Sequence, residues 1–205
     1  MWLSRRSMLP GALALALAFA PACADEEDPD ARSEDELRAL VIRPDAPPLE
    51  RSDTSFYAVK GEEREVALYF TDGAGGRGTI FFLLRVFPGS LAARPDGTPI
   101  ASGDSVLITV RAADPSRVLF DVEPSGLSFD PLAPPLMLLH YNEVDPDLDG
   151  DGDVDGADLD IERRLTVWRQ ESPGGVFRRL ESTVDLELDG VGTSLTGLSR
   201  YAISY

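Results

Sequence analysis

The sequence predicts an all-β chain, an antiparallel β-sandwich with an acidic loop inserted between two of its strands. Three observations predict it. Apolar or alternating runs of four to nine residues recur along the chain, rich in Val, Ile, Phe and Tyr. Turn-forming stretches separate them, among them "TDGAGGRG", "RPDGTP", "EPSG" and "SPGG". Beyond the first two dozen residues no run of ten or more shows helical periodicity, apart from a turn expected near Leu159–Arg163. Many short strands without helices between them make a sandwich or barrel, not an α/β sheet.

The first 22 residues stand apart from that pattern. "MWLSRRSMLPGALALALAFAPAC" has a basic start at Arg5 and Arg6, a short apolar run from Pro10 to Ala20, and small residues around Ala22. The run is about half the length that spans a bilayer, so residues 1–22 read as a secretory signal peptide. Arg5-Arg6 followed by Ser7, Met8 and Leu9 resembles a twin-arginine signal; the general export route uses basic starts as well. Cys23 is the only cysteine, so no intrachain disulfide forms. "FAPAC" resembles a bacterial lipobox, although Ala20 and Pro21 depart from its usual residues. That resemblance implies lipidation of Cys23, and the Ala24 behind it resembles the outer-membrane sorting pattern. Cleavage after Ala24 is the alternative and releases a soluble periplasmic or secreted protein. Residues 23–36, "CADEEDPDARSEDE", contain no aromatic or β-branched residue and are expected to form an acidic flexible tether. The domain is then expected over residues 37–205.

Within it the expected strands are, in order, "FYAVK", "EVALYF", "TIFFLLRVF", "SVLITVRA", "RVLFDVE", "LMLLHY", "LTVWRQ", "GVFRRL", "TVDLEL" and "YAISY". Trp168, Phe177 and Tyr201 are expected as core and hairpin residues. The strands are too short for an outer-membrane barrel, despite the terminal aromatic residue.

Residues 117–141, "RVLFDVEPSGLSFDPLAPPLMLLHY", resemble the segment of ZU-five domains in which a strand leads into Pro-x-Gly-hydrophobic-x-Phe. The matching positions are Pro124, Gly126, Leu127 and Phe129, followed by Pro131 and a strand running into Tyr141. "LTVWRQESPGGVFRRLESTVD" and "SLTGLSRYAIS" resemble the hairpin and closing strand of that family, and "FPGSLAARPDGTPI" is a fainter likeness of its early turn. The resemblance covers residues 80–205. It implies a β-sandwich, an extracytoplasmic module in bacteria and a part of ankyrins and netrin receptors in animals, with no single activity attached. Some members cut themselves at His-Phe-Ser in the closing strand. Here those positions are Gly197, Leu198 and Ser199; the base is missing, so no self-cleavage is expected.

The loop is "DPDLDGDGDVDGADLDIE", residues 145–162, with nine carboxylates in eighteen residues. Calcium takes six to eight oxygens at about 2.4 Å, and a twelve-residue loop supplies them from positions one, three, five, seven, nine and twelve. In the preferred register these are Asp147, Asp149, Asp151, Asp153 (through its carbonyl), Asp155 and Asp158. Gly152 then makes the sharp turn at position six, and Val154 is expected to pack against the protein from position eight. A second register uses Asp151, Asp153, Asp155 and Glu162 with Gly156 at six, but places Asp158 on the hydrophobic position. The pattern resembles dockerin repeats and other EF-hand-like loops. It occurs once and follows a strand instead of a helix, so cohesin binding is not carried over. The bland reading is a solvated charge run; alternation of acids with Gly, Leu and Val weighs against it. Ca²⁺ is therefore the expected cofactor.

The formal charge of −17, with Lys60 the only lysine, argues against nucleic acid and anionic lipid surfaces as partners. A lipid anchor is then the one expected membrane contact. The sole histidine, His140, sits at a strand end, and neither a Gly-x-Ser-x-Gly motif nor a histidine cluster is present. No enzymatic activity is expected. The function expected is a calcium-binding structural or interaction module of the cell envelope, its protein or glycan partner unspecified. The alternative is a calcium-dependent carbohydrate- or peptide-active enzyme or its accessory domain.

Overall fold

A computed structural model describes residues 28–205; the expected signal peptide and Cys23 lie outside the described residues. The chain runs through β1 (Ala31–Arg32), β2 (Asp53–Val59), β3 (Arg64–Thr71) and β4 (Arg77–Val86). It continues through β5 (Leu91–Ala93), β6 (Ser105–Ala112), β7 (Leu119–Glu123), β8 (Ser128–Phe129) and β9 (Leu136–His140). After the acidic loop come the short helix α1 (Gly156–Glu162) and β10 (Thr166–Gln170). The last strands are β11 (Phe177–Arg179), β12 (Thr183–Asp185), β13 (Gly190–Ser194) and β14 (Arg200–Ser204).

Every strand pair is antiparallel. One sheet has the order β1-β11-β10-β14-β7-β6-β2, the other β12-β13-β9-β4-β3, and β5 pairs with β8 alone. The two large sheets share one core, as alternation on half-buried strands requires. In β6, Val106, Ile108, Val110 and Ala112 point inward while the residues between them stay nearer solvent. Phe120 of β7 meets Phe81 and Phe82 of β4 with ring centroids 4.7 and 4.9 Å apart, so it stitches one sheet to the other.

Two consecutive phenylalanines reach the core because β4 is irregular there. Leu68 is opposite Phe82 but Tyr69 is opposite Ile80, which leaves Phe81 as an extra residue. Such a bulge resets the inside–outside phase of a strand, and here it doubles the aromatic packing at one spot. Across β7 and β14, Arg200 forms a two-pronged pair with Asp121, its Nε 2.7 Å from Oδ1 and one terminal nitrogen 3.3 Å from Oδ2.

Two sequence expectations differ from what is seen. Of the tether expected over 23–36, Asp28, Ala31, Arg32 and Glu34 contact the sheet. Ala31 and Arg32 pair with Arg178 and Phe177, Asp28 meets Arg178 at 3.2 Å, and Glu34 meets Arg200 at 3.4 Å. Arg32 sits over the Trp168 ring, 5.0 Å from its centroid. Acids read as solvating thus face arginines that are remote in sequence. The run "TVDLEL" also stops short: residues 186–189 form a turn, and Gly190–Ser194 is the returning strand β13.

Trp168, Phe177 and Tyr201 are all buried. Among the described residues no helix is long and apolar enough to cross a membrane.

Candidate functional site

The acidic loop leaves β9 in one large sheet and delivers the chain to β10 in the other, so it is a tie between the two layers. Its ends are fixed. Val144 bridges Ile42, the Asp145 N–H donates to the Val41 carbonyl at 2.9 Å, and the Tyr141 hydroxyl donates to Glu162 Oε1 at 3.0 Å. From just beyond β14 the Tyr205 hydroxyl donates to the Leu148 carbonyl at 3.3 Å. Burial, then the bond to Glu162 and its charge, push the Tyr141 hydroxyl far above its ordinary range.

Between those ends the aspartates organise the backbone. Asp147 accepts the N–H groups of Gly150 at 2.7 Å and Gly152 at 2.9 Å. Asp149 accepts from Asp151, and Asp151 from Asp153, both at 3.1 Å. These are turns in which a short acid folds back onto the amide two residues on. Gly152 adopts φ +97°, a left-handed value suited to glycine, whereas Gly156 is the first residue of α1. Gly150, at φ +78°, is left-handed as well.

Asp158 is buried and serves as an internal acceptor. Its Oδ1 takes the N–H groups of Leu148 at 2.7 Å and Asp149 at 3.3 Å, and its Oδ2 takes that of Asp155 at 2.8 Å. Asp155 in turn caps α1 by accepting from Ala157 at 2.6 Å, which completes a capping box. The Asp155 amide first, with those of Leu148 and Asp149, holds the Asp158 carboxyl below its ordinary value against the effect of burial.

Of the six expected ligands, Asp147, Asp149 and Asp151 are brought together, each offering a carboxylate oxygen within 4.8 Å of the others. Asp153 is exposed and lies outside that cluster, as do Asp155 and Asp158. Like charges at this spacing oppose one another. At Asp149 the Asp151 amide lowers the carboxyl pKa, but desolvation and the charges of Asp151, Asp158 and Asp147 together hold it above the ordinary value. Three converging carboxylates form a hard-oxygen donor set of the kind divalent cations take.

Val154 does not pack inward as expected. It is 63% exposed, because the chain turns outward after Gly152 and the apolar anchors of the loop are Leu148 and Ile161 instead. Sequence reasoning also missed the Tyr141–Glu162 bond. Glu162, a ligand in the second register, is instead turned onto that hydroxyl.

The His140 Nδ1 lies 3.0 Å from the Leu188 carbonyl, which can only accept, so Nδ1 is the donor there, while Nε2 is buried without a hydrogen-bond partner. Ser199 is buried, and its Oγ accepts from the Arg169 Nε at 2.8 Å, so its neighbour is a cation and not a base.

Comparison with protein-family models, with curated proteins and with solved structures finds no match to this chain.

Proposed function

We propose that this chain is an exported, lipid-anchored, calcium-binding structural or interaction module of the cell envelope. The observation that carries the calcium reading is the convergence of Asp147, Asp149 and Asp151 in a loop that joins the two sheets. The left-handed turn at Gly152 supports the same register. Asp153 would add its carbonyl, and Asp155 and Asp158, at the ninth and twelfth positions, stand at the start of α1. An ion there neutralises mutual repulsion and fixes a long inter-sheet connection, a structural clip and not a catalytic centre. The likeness of residues 80–205 to ZU-five domains, usually extracytoplasmic in bacteria, supports the envelope setting.

Calorimetric titration of the mature chain with Ca²⁺ and Mg²⁺ tests the site. Saturable, calcium-selective heat is expected, and it should vanish in a double variant carrying Asp147→Ala and Asp151→Ala. Heat that survives in the variant, or none in the parent, rejects the reading.

The anchor rests on Cys23 and the leader before it. Intact-mass analysis of protein extracted from the envelope is expected to show a lipid-modified chain beginning at Cys23. An unmodified chain beginning at Asp25 would replace the anchored reading with a released one.

A further inference from the structure

Beside the acidic loop lies a half-open cleft of about 330 Å³, at the lower end of the size range of ligand pockets. Its wall is apolar, with Leu148, Val154 and Leu159 among the lining residues. Val154 and Leu159 are 63% and 39% exposed, so the loop presents hydrophobic surface that the fold leaves uncovered. The charged groups lining the cleft are all acidic; three of them, Asp145, Glu162 and Asp189, lie outside the preferred calcium ligand set, and neither Lys nor Arg lines it. Asn142 also lines the cleft, and its Oδ1 is buried without a hydrogen-bond donor.

We propose that this cleft docks a basic, apolar peptide segment of a protein partner, in which a lysine or arginine stands beside aliphatic side chains. The aliphatic group covers Val154 and Leu159. The cation meets the acidic lining at Asp145 and Asp189. Complementarity of this kind selects the partner by charge while burial of apolar surface holds it. The proposal deepens the interaction-module reading and rests on it. It does not rest on the ion, because the carboxylates it uses most are not among the preferred calcium ligands.

Three capped tripeptides of sequence Leu-Lys-Leu, Leu-Gln-Leu and Leu-Glu-Leu test it by amide-detected NMR titration of the isotope-labelled mature protein. At about 0.15 M salt, charge effects reach only about 8 Å, so diffuse attraction to an acidic protein is suppressed. The lysine peptide is expected to bind about tenfold more tightly than the glutamine peptide, with shifts centred on Asn142, Val154 and Leu159. The glutamate peptide should not saturate. A variant carrying Asp145→Asn and Asp189→Asn keeps the shapes of both side chains. It should lose the lysine preference. A variant carrying Val154→Ser and Leu159→Ser should weaken both. Equal binding of the lysine and glutamine peptides, or shifts spread over the acidic surface and indifferent to these variants, overturns the proposal. The titration is run in calcium and in chelator: lysine-selective binding at the cleft in both upholds the proposal even where calorimetry rejects the ion.

Discussion

Replacing Phe120 by alanine is expected to destabilise the fold by about 3–5 kcal/mol, as large-to-small changes of buried aromatics do. For a chain of this size that is a fall in melting temperature of about 6–20 °C. The expectation follows from where the ring sits. Phe120 is fully buried and belongs to the seven-stranded sheet, while its partners Phe81 and Phe82 belong to the facing sheet. Phe81 and Phe82 flank the site, and Phe81 in turn packs on Phe70 at 4.7 Å, so truncation leaves a void beside two aromatic rings that cannot close without moving a sheet. Phe120→Leu should cost clearly less, since it keeps most of the apolar volume. Thermal or urea unfolding of the two variants checks the order. A Phe120→Ala change worth under about 1 kcal/mol would mean that the sheets are held together elsewhere.

Calcium is the second large effect. At free calcium about one hundred times its dissociation constant, a ligand bound only by the folded chain adds about 2.7 kcal/mol. That corresponds to a rise in melting temperature of about 5–11 °C. Chelator should reverse the shift, and the variant with Asp147→Ala and Asp151→Ala should show none. Without calcium, that variant is expected to melt no more than a few degrees from the parent. Removing two of three clustered carboxylates relieves repulsion, while losing the Asp147 contacts to Gly150 and Gly152 offsets the gain. A parent melting temperature unmoved by calcium would leave the loop as an acidic crossover alone.

Much of the architecture is legible in the sequence, and the exceptions share a cause. Strands such as Ser105–Ala112 are readable because burial on one face writes alternation directly into residue type. β13 is not readable: "GVGTS" has two glycines, which look like turn chemistry. In the sheet Gly190 and Gly192 lie against the Leu138 side chain, and a β-carbon at Gly190 would sit 3.3 Å from it. The doubled phenylalanine of β4 hides its bulge, because a run of apolar residues carries no phase. The second half of the expected tether is held by arginines about 150 residues further on, a pairing that local composition cannot show.

The loop divides in the same way. Acidic spacing identifies the Asp147, Asp149 and Asp151 cluster and the glycine that turns beneath it. It does not reveal that Asp158 serves the loop's own amides, nor that Val154 faces outward. Both depend on how α1 is seated, which is decided by Ile161, Tyr141 and Glu162 and not by the ligand pattern.

The place of β14 governs the order in which the molecule can be put together. It follows all the other strands in sequence, yet it lies between β10 and β7 in the interior of the seven-stranded sheet. Until residues 200–204 arrive, that sheet exists as two three-stranded pieces with open inner edges, β1-β11-β10 and β7-β6-β2. A chain threaded out of a pore from its N-terminus therefore remains incomplete until nearly all of it has emerged. Pairing across such long sequence separations is slow. The open edges are sticky in the interval, which places the main hazard for this protein in its assembly and not in its finished state.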